Sequence, residues 1–206
     1  LIWGVGAAGQ RNLDAAGIRT FDDLARWDRK DLIHRFGQTG DRLWHLARGE
    51  DNRRVNPHEP MKSISAETTF DEDISDRDLL DGHVWRLAEK VADRTKAKGL
   101  AGRTVTLKLK RADFTAITRR HTLREPTRIA DRLYREAAEL LAQVGDKGPY
   151  RLIGVGLSDI VPARAADLTP DLLDPTAAKR AVAERATDAI RARFGPNAIV
   201  KGRSLR

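Results

Sequence analysis

The chain has 206 residues, room for one large domain or two small ones, and its 40% hydrophobic fraction is enough for a core. It contains no cysteine, which excludes disulfides and thiolate metal sites, and no apolar run as long as a membrane span. With 38 Lys and Arg against 30 Asp and Glu the net charge is +8, which favours an acidic partner, most commonly nucleic acid.

The first element is a glycine hairpin, Gly4-Val5-Gly6-Ala7-Ala8-Gly9, running into a helical pattern from Gln10 to Gly17. Gly4-x-Gly6-x-x-Gly9 also spells a dinucleotide-binding fingerprint. That site needs a buried strand before it and a carboxylate on a second strand after it. Only Leu1, Ile2 and Trp3 precede the hairpin, and Asp22 and Asp23 sit on no strand pattern. The spacing apolar-x-Gly-apolar-Gly fits a helix-hairpin-helix better, with Ile2, Val5 and Leu13 closing the helices on each other. In that reading the amides at Gly6, Ala7 and Ala8 face a DNA phosphate without regard to base sequence. The bland alternative is a helix–helix turn that uses glycine.

Short helices are expected through residue 49. Thr20 with Asp23 forms a capping-box pattern; Asp28 caps a helix that Gly37 stops; another runs from Thr39 to Arg48. Leu24, Trp27, Leu32, Ile33, Phe36, Leu43, Trp44 and Leu46 are its candidate core. Residues 50–60 are polar, carry Pro57 and Pro60, and read as an extended linker.

The next stretch orders its elements strand, helix, strand, strand, helix, strand. The strands are Ser63–Phe70, Arg103–Arg111, Phe114–Leu123 and Tyr150–Val161; the helices run to Gly99 and over Thr127–Val144. Asp71, Glu72 and Asp73 read as a solvated strand-to-helix turn, and Ala112-Asp113 as a hairpin turn. Val105, Leu107 and Leu109 alternate with Thr104, Thr106, Lys108 and Lys110, so one face is aliphatic and the other polar and basic. The expected fold is α+β: a helical domain over 1–49, then a four-stranded antiparallel sheet with two helices on one face over 61–162, ferredoxin-like in layout. Arg119 or Arg120 joins the basic face, according to strand register. Phe114 is the only aromatic of the central strand pair, too little for an RNA-recognition platform. Residues 163–206 read as a tail with a charged helix at Thr176–Phe194 and a short strand at Ala198–Val200, docked weakly or mobile.

His34, His45, His58, His83 and His121 lack metal-ligand spacing, and no nucleophile elbow is present. No catalytic or metal residue is assigned.

Met61-Lys62-Ser63-Ile64-Ser65-Ala66-Glu67-Thr68-Thr69-Phe70 resembles the segment that opens the little-finger domain of Y-family DNA polymerases. Tyr150-Arg151-Leu152-Ile153-Gly154-Val155-Gly156-Leu157-Ser158 is similar to the last strand of that domain in the bacterial DNA polymerase IV (DinB) group. The hairpin and Ala16–Leu24 resemble the thumb that precedes it. The resemblance implies the DNA-binding part of an error-prone translesion polymerase, gripping template–primer duplex through phosphates. It points to Gly4, Gly6 and Ala7 in the thumb and to Ser63, Lys108, Lys110, Arg119, Arg120 and Thr122 in the little finger. It also implies that the acidic, magnesium-holding palm lies N-terminal to this sequence, so that magnesium belongs to the full-length enzyme and this fragment alone does not polymerise. A sliding-clamp peptide is sought at Asp167–Asp174, with Leu168, Leu172 and Leu173 as its candidate contacts. A monomer in the cytoplasm, without membrane association, is expected. The alternative is a non-catalytic DNA-binding or scaffold module that borrows a helix-hairpin-helix.

Overall fold

A computed structural model describes residues 4–51, 53–145, 148–167, 176–195 and 197–202. The chain forms two compact units, Leu1–Glu59 and Pro60–Arg206.

The first unit is helical: α1 (Ala7–Asp14), α2 (Phe21–Arg26), α3 (Arg29–Phe36) and α4 (Gln38–Ala47). Its boundaries follow side-chain chemistry. The capping box at α2 is complete, with the Thr20 hydroxyl accepting from the Asp23 N–H and the Asp23 carboxylate accepting from the Thr20 N–H. Hydrogen bonding to the Thr20 side chain, then to the Arg19 and Thr20 N–H groups, holds the Asp23 carboxyl below its ordinary pKa. Asp28 caps α3, and Gly37 ends it at φ +60°. Leu13, Ile18, Leu24, Leu32 and Leu43 are buried together, with Val5, Trp27, Phe36 and Trp44 packed around them. Ile33, expected in this core, is exposed. Gly40 is the tightest point: a Cβ there would lie 1.9 Å from the Leu32 carbonyl oxygen.

The second unit contains β1 (Ser63–Ile74), α5 (Arg77–Ala97), β2 (Leu100–Arg111), β3 (Ala116–Thr127), α6 (Ala130–Val144), β4 (Tyr150–Pro162) and α7 (Ala177–Phe194). Asp71, Glu72 and Asp73 continue β1 instead of turning, and Asp76 caps α5. The sheet is antiparallel throughout, in the order β1-β4-β2-β3. The expected layers are present, but this is not the ferredoxin-like order, in which the third strand lies between the first two. Here β4 takes that place and β3 is an edge.

Alternation along the central strands produces the layers. Val105, Leu107 and Leu109 pair with Leu157, Val155 and Ile153, all at most 1% exposed. Leu80, Val84, Leu87 and Val91 of α5 and Leu133, Ala137, Leu140 and Val144 of α6 join them in one core. Each such aliphatic side chain contributes about 1.5–3 kcal/mol when fully buried.

Helix α7 of the tail is not loosely held. Glu184 of α7 is only 4% exposed; its carboxylate accepts from the Ala130 and Asp131 N–H groups at the start of α6 and from Lys96 Nζ at 2.6 Å. Asp188 takes the same ammonium, while Arg180 meets Asp131 and Arg191 meets Glu89. Residues 198–200 form no strand.

Candidate nucleic-acid interface

The sheet face away from α5 and α6 is a grid. Read from β1 through β4 and β2 to β3, its rows are Ser63–Ser158–Thr104–Thr122, Ser65–Gly156–Thr106–Arg120, Glu67–Gly154–Lys108–Thr118 and Thr69–Leu152–Lys110–Ala116. Strand parity alone brings Ser63, Lys108, Lys110, Arg120 and Thr122 to one surface. Arg119 pairs with Leu107 and so belongs to the opposite face, as does His121, whose Nδ1 lies 2.6 Å from Glu136 of α6.

The sheet's open face is not uniformly cationic. Lys108 Nζ is 2.8 Å from the Glu67 carboxylate, and the pair bridges the strip over Gly154. Thr104 donates to the Asp159 carboxylate and therefore accepts from Thr122, whose hydroxyl proton is turned inward. Arg120 forms no ion pair among the described residues. At the β2–β3 turn, hydrogen bonds from the Thr115 backbone N–H and hydroxyl, then the Arg111 charge, hold the Asp113 carboxyl below its ordinary pKa. Lys96 points the other way, into the α7 contacts.

In the first unit, Gly4 adopts φ +87°, a left-handed conformation that glycine allows. A Cβ there would lie 2.8 Å from the Arg42 guanidinium. Gly6 is the N-cap of α1 with no side-chain cap, and the first turn carries no acidic residue. Gly4, Gly6, Ala7 and Ala8 are exposed, so the first amides of α1 open to solvent at the positive end of the helix dipole. Such an end receives anions.

Leu168, Leu172 and Leu173 lie outside the described residues. Among the described residues, no group of three or more His, Asp or Glu is placed to hold a metal ion. Asp71, Glu72 and Asp73 alternate along a strand, which separates neighbouring carboxylates between its faces. The described residues therefore do not fit a two-magnesium centre. No described helix is long and apolar enough to cross a membrane.

The site thus consists of an antiparallel sheet with a polar, partly basic face, and of a helical unit before it in sequence whose first amides are exposed. Residues 61–170 match the impB/mucB/samB family C-terminal domain. DNA polymerase IV 1 of Mesorhizobium japonicum is 49% identical over 202 residues, covering 98% of this chain and 46% of that protein. DNA polymerase IV of Caulobacter vibrioides is 43% identical over 203 residues, covering 98% and 50%. A solved Y-family DNA polymerase chimera has the same fold, with TM-score 0.59 at 21% identity over 78% of this chain and 46% of that one. The chain belongs to the Y-family DNA polymerases through the impB/mucB/samB C-terminal domain. Within that family it is a member of the DNA polymerase IV (DinB) group. It spans about half the length of the curated relatives it matches.

Proposed function

We propose that this chain is the duplex-gripping part of an error-prone translesion DNA polymerase. It holds template–primer DNA through backbone phosphates at two places: the amides of Gly6 and Ala7, and the sheet face carrying Ser63, Lys108, Lys110 and Arg120. The observation that carries the reading is strand register, which gathers Lys108, Lys110 and Arg120 on the sheet face opposite α5 and α6. The contacts are to phosphate, so affinity is independent of base sequence and falls steeply with salt. Nucleotidyl transfer, magnesium and the acidic palm belong to other residues of the full-length enzyme, and the described part of this chain has no chemistry to substitute for them. Clamp binding through Leu168, Leu172 and Leu173 remains a proposal on sequence alone.

The test is fluorescence anisotropy on two duplexes of unrelated sequence over a salt series. Equal affinities with a negative linear dependence of log K on log salt are expected. A strong preference for one sequence, or a salt-independent affinity, overturns the reading. Primer extension by the purified chain would overturn the division of labour.

A further inference from the structure

Phe114 sits in the turn between β2 and β3, beyond the Lys110–Ala116 row that ends the basic grid. Three observations set it apart. The side chain is 60% exposed, whereas the aromatics Trp85, Tyr134 and Tyr150 of the same unit are buried. Its φ is +66°, the left-handed region, where a bulky side chain is an outlier. The turn holds it there through the Phe114 N–H to the Arg111 carbonyl at 3.0 Å and the Arg111 N–H to the Thr115 carbonyl at 3.0 Å. Two cations lie over the ring: Lys110 Nζ at 4.6 Å and the Arg151 guanidinium carbon at 4.7 Å from its centroid. Arg151 is in turn held 3.7 Å from Asp73.

An exposed aromatic with cations close to it is the combination used to hold unpaired nucleotides: the base takes a ring face, and the flexible cation it displaces moves to the phosphate. Duplex bases are already stacked on one another, so only an unpaired nucleotide offers a free base. From this placement we infer that Phe114 is a stacking platform for an unpaired nucleotide beside the duplex, with Lys110 and Arg151 on the flanking phosphates. The inference rests on the duplex-gripping reading and adds a single-stranded contact at one end of the same face.

The experiment compares three probes by anisotropy: a blunt duplex, the same duplex with a short single-stranded overhang, and that overhang made abasic. The intact chain binds the overhang probe more tightly than the blunt one, and the abasic overhang loses the gain. Phe114→Leu keeps the apolar bulk and lowers the overhang gain by roughly five-fold or more, the size of one lost base stack. Its blunt-duplex affinity is unchanged. Phe114→Trp retains the gain. An overhang gain that survives in Phe114→Leu or with abasic nucleotides, or its absence from the intact chain, overturns the platform. Loss of blunt-duplex binding by Lys108→Gln or Arg120→Gln reports separately on the duplex reading.

Discussion

The Glu67 carboxylate reaches across β4 to within 2.8 Å of the Lys108 ammonium, directly over Gly154. Both side chains are about half exposed, so the pair has little intrinsic strength, on the order of 0–1 kcal/mol. A phosphate can take Lys108 from Glu67, but the carboxylate left behind then repels it. Glu67 thus restrains the grip. Glu67→Gln is expected to tighten duplex binding by about two- to five-fold, the energy of one weak exposed pair. Lys108→Gln weakens it. A Glu67→Gln protein that binds no more tightly than the parent would show that the pair does not compete with DNA.

The register makes a second, sharper claim. Lys110 and Arg120 share the sheet's open face, while Arg119 has the parity of Leu107. Lys110→Gln and Arg120→Gln should each reduce the slope of log K against log salt by about 0.9, one phosphate contact apiece. Arg119→Gln should change the slope by much less. Equal losses at Arg119 and Arg120 would remove the face assignment.

In the hairpin, the two glycines answer to different constraints. A Cβ at Gly4 meets a left-handed φ of +87° and the Arg42 guanidinium at 2.8 Å. A Cβ at Gly6 meets nothing within 4 Å. Gly4→Ala should therefore destabilise the first unit by about 1–2 kcal/mol, the cost of a left-handed alanine. Gly6→Ala should destabilise it less, by about 0.5 kcal/mol for the poorer N-cap, and weaken duplex binding by crowding the approach to the α1 amides. Thermal melts beside anisotropy separate the two.

Local signals made most of the secondary structure legible. The Thr20–Asp23 box, the Asp28 cap and the stop at Gly37 sit where the sequence puts them, because caps are decided by near neighbours. The alternation of Val105, Leu107 and Leu109 fixed which face of β2 is buried. Strand order was not legible: placing β4 between β1 and β2 depends on contacts between distant segments, and periodicity is silent about them. The same blindness hid the Glu67–Lys108 pair, whose members are 41 residues apart. Arg119 and Arg120 could not be separated without the partner strand. The docking of α7 was missed because its buried contacts are charged, and a run of Lys, Arg and Glu reads as a solvated face.

Those charged contacts give α7 a pH dependence. Burial alone would push the Lys96 ammonium down, but Glu184 and Asp188 outweigh it, and its pKa lies above the ordinary 10.5. A raised folded-state pKa stabilises the fold fully below the unfolded value and loses that contribution as pH rises through the folded one. The docking of α7 should hold at neutral pH and weaken above about 10.5, where Lys96 begins to lose its proton. Glu184→Gln tests the network at neutral pH. It removes the charge from a carboxylate that meets two N–H groups and Lys96, and should cost about 3 kcal/mol, the low end for breaking a buried pair, since Asp188 keeps the ammonium partnered. Hydrogen exchange of the α7 amides, followed from neutral to alkaline pH, is the direct measurement. Protection should fall with pH in the parent and be low throughout in Glu184→Gln. Protection that is the same in both proteins would mean that other contacts of α7, and not this carboxylate, hold it to α6.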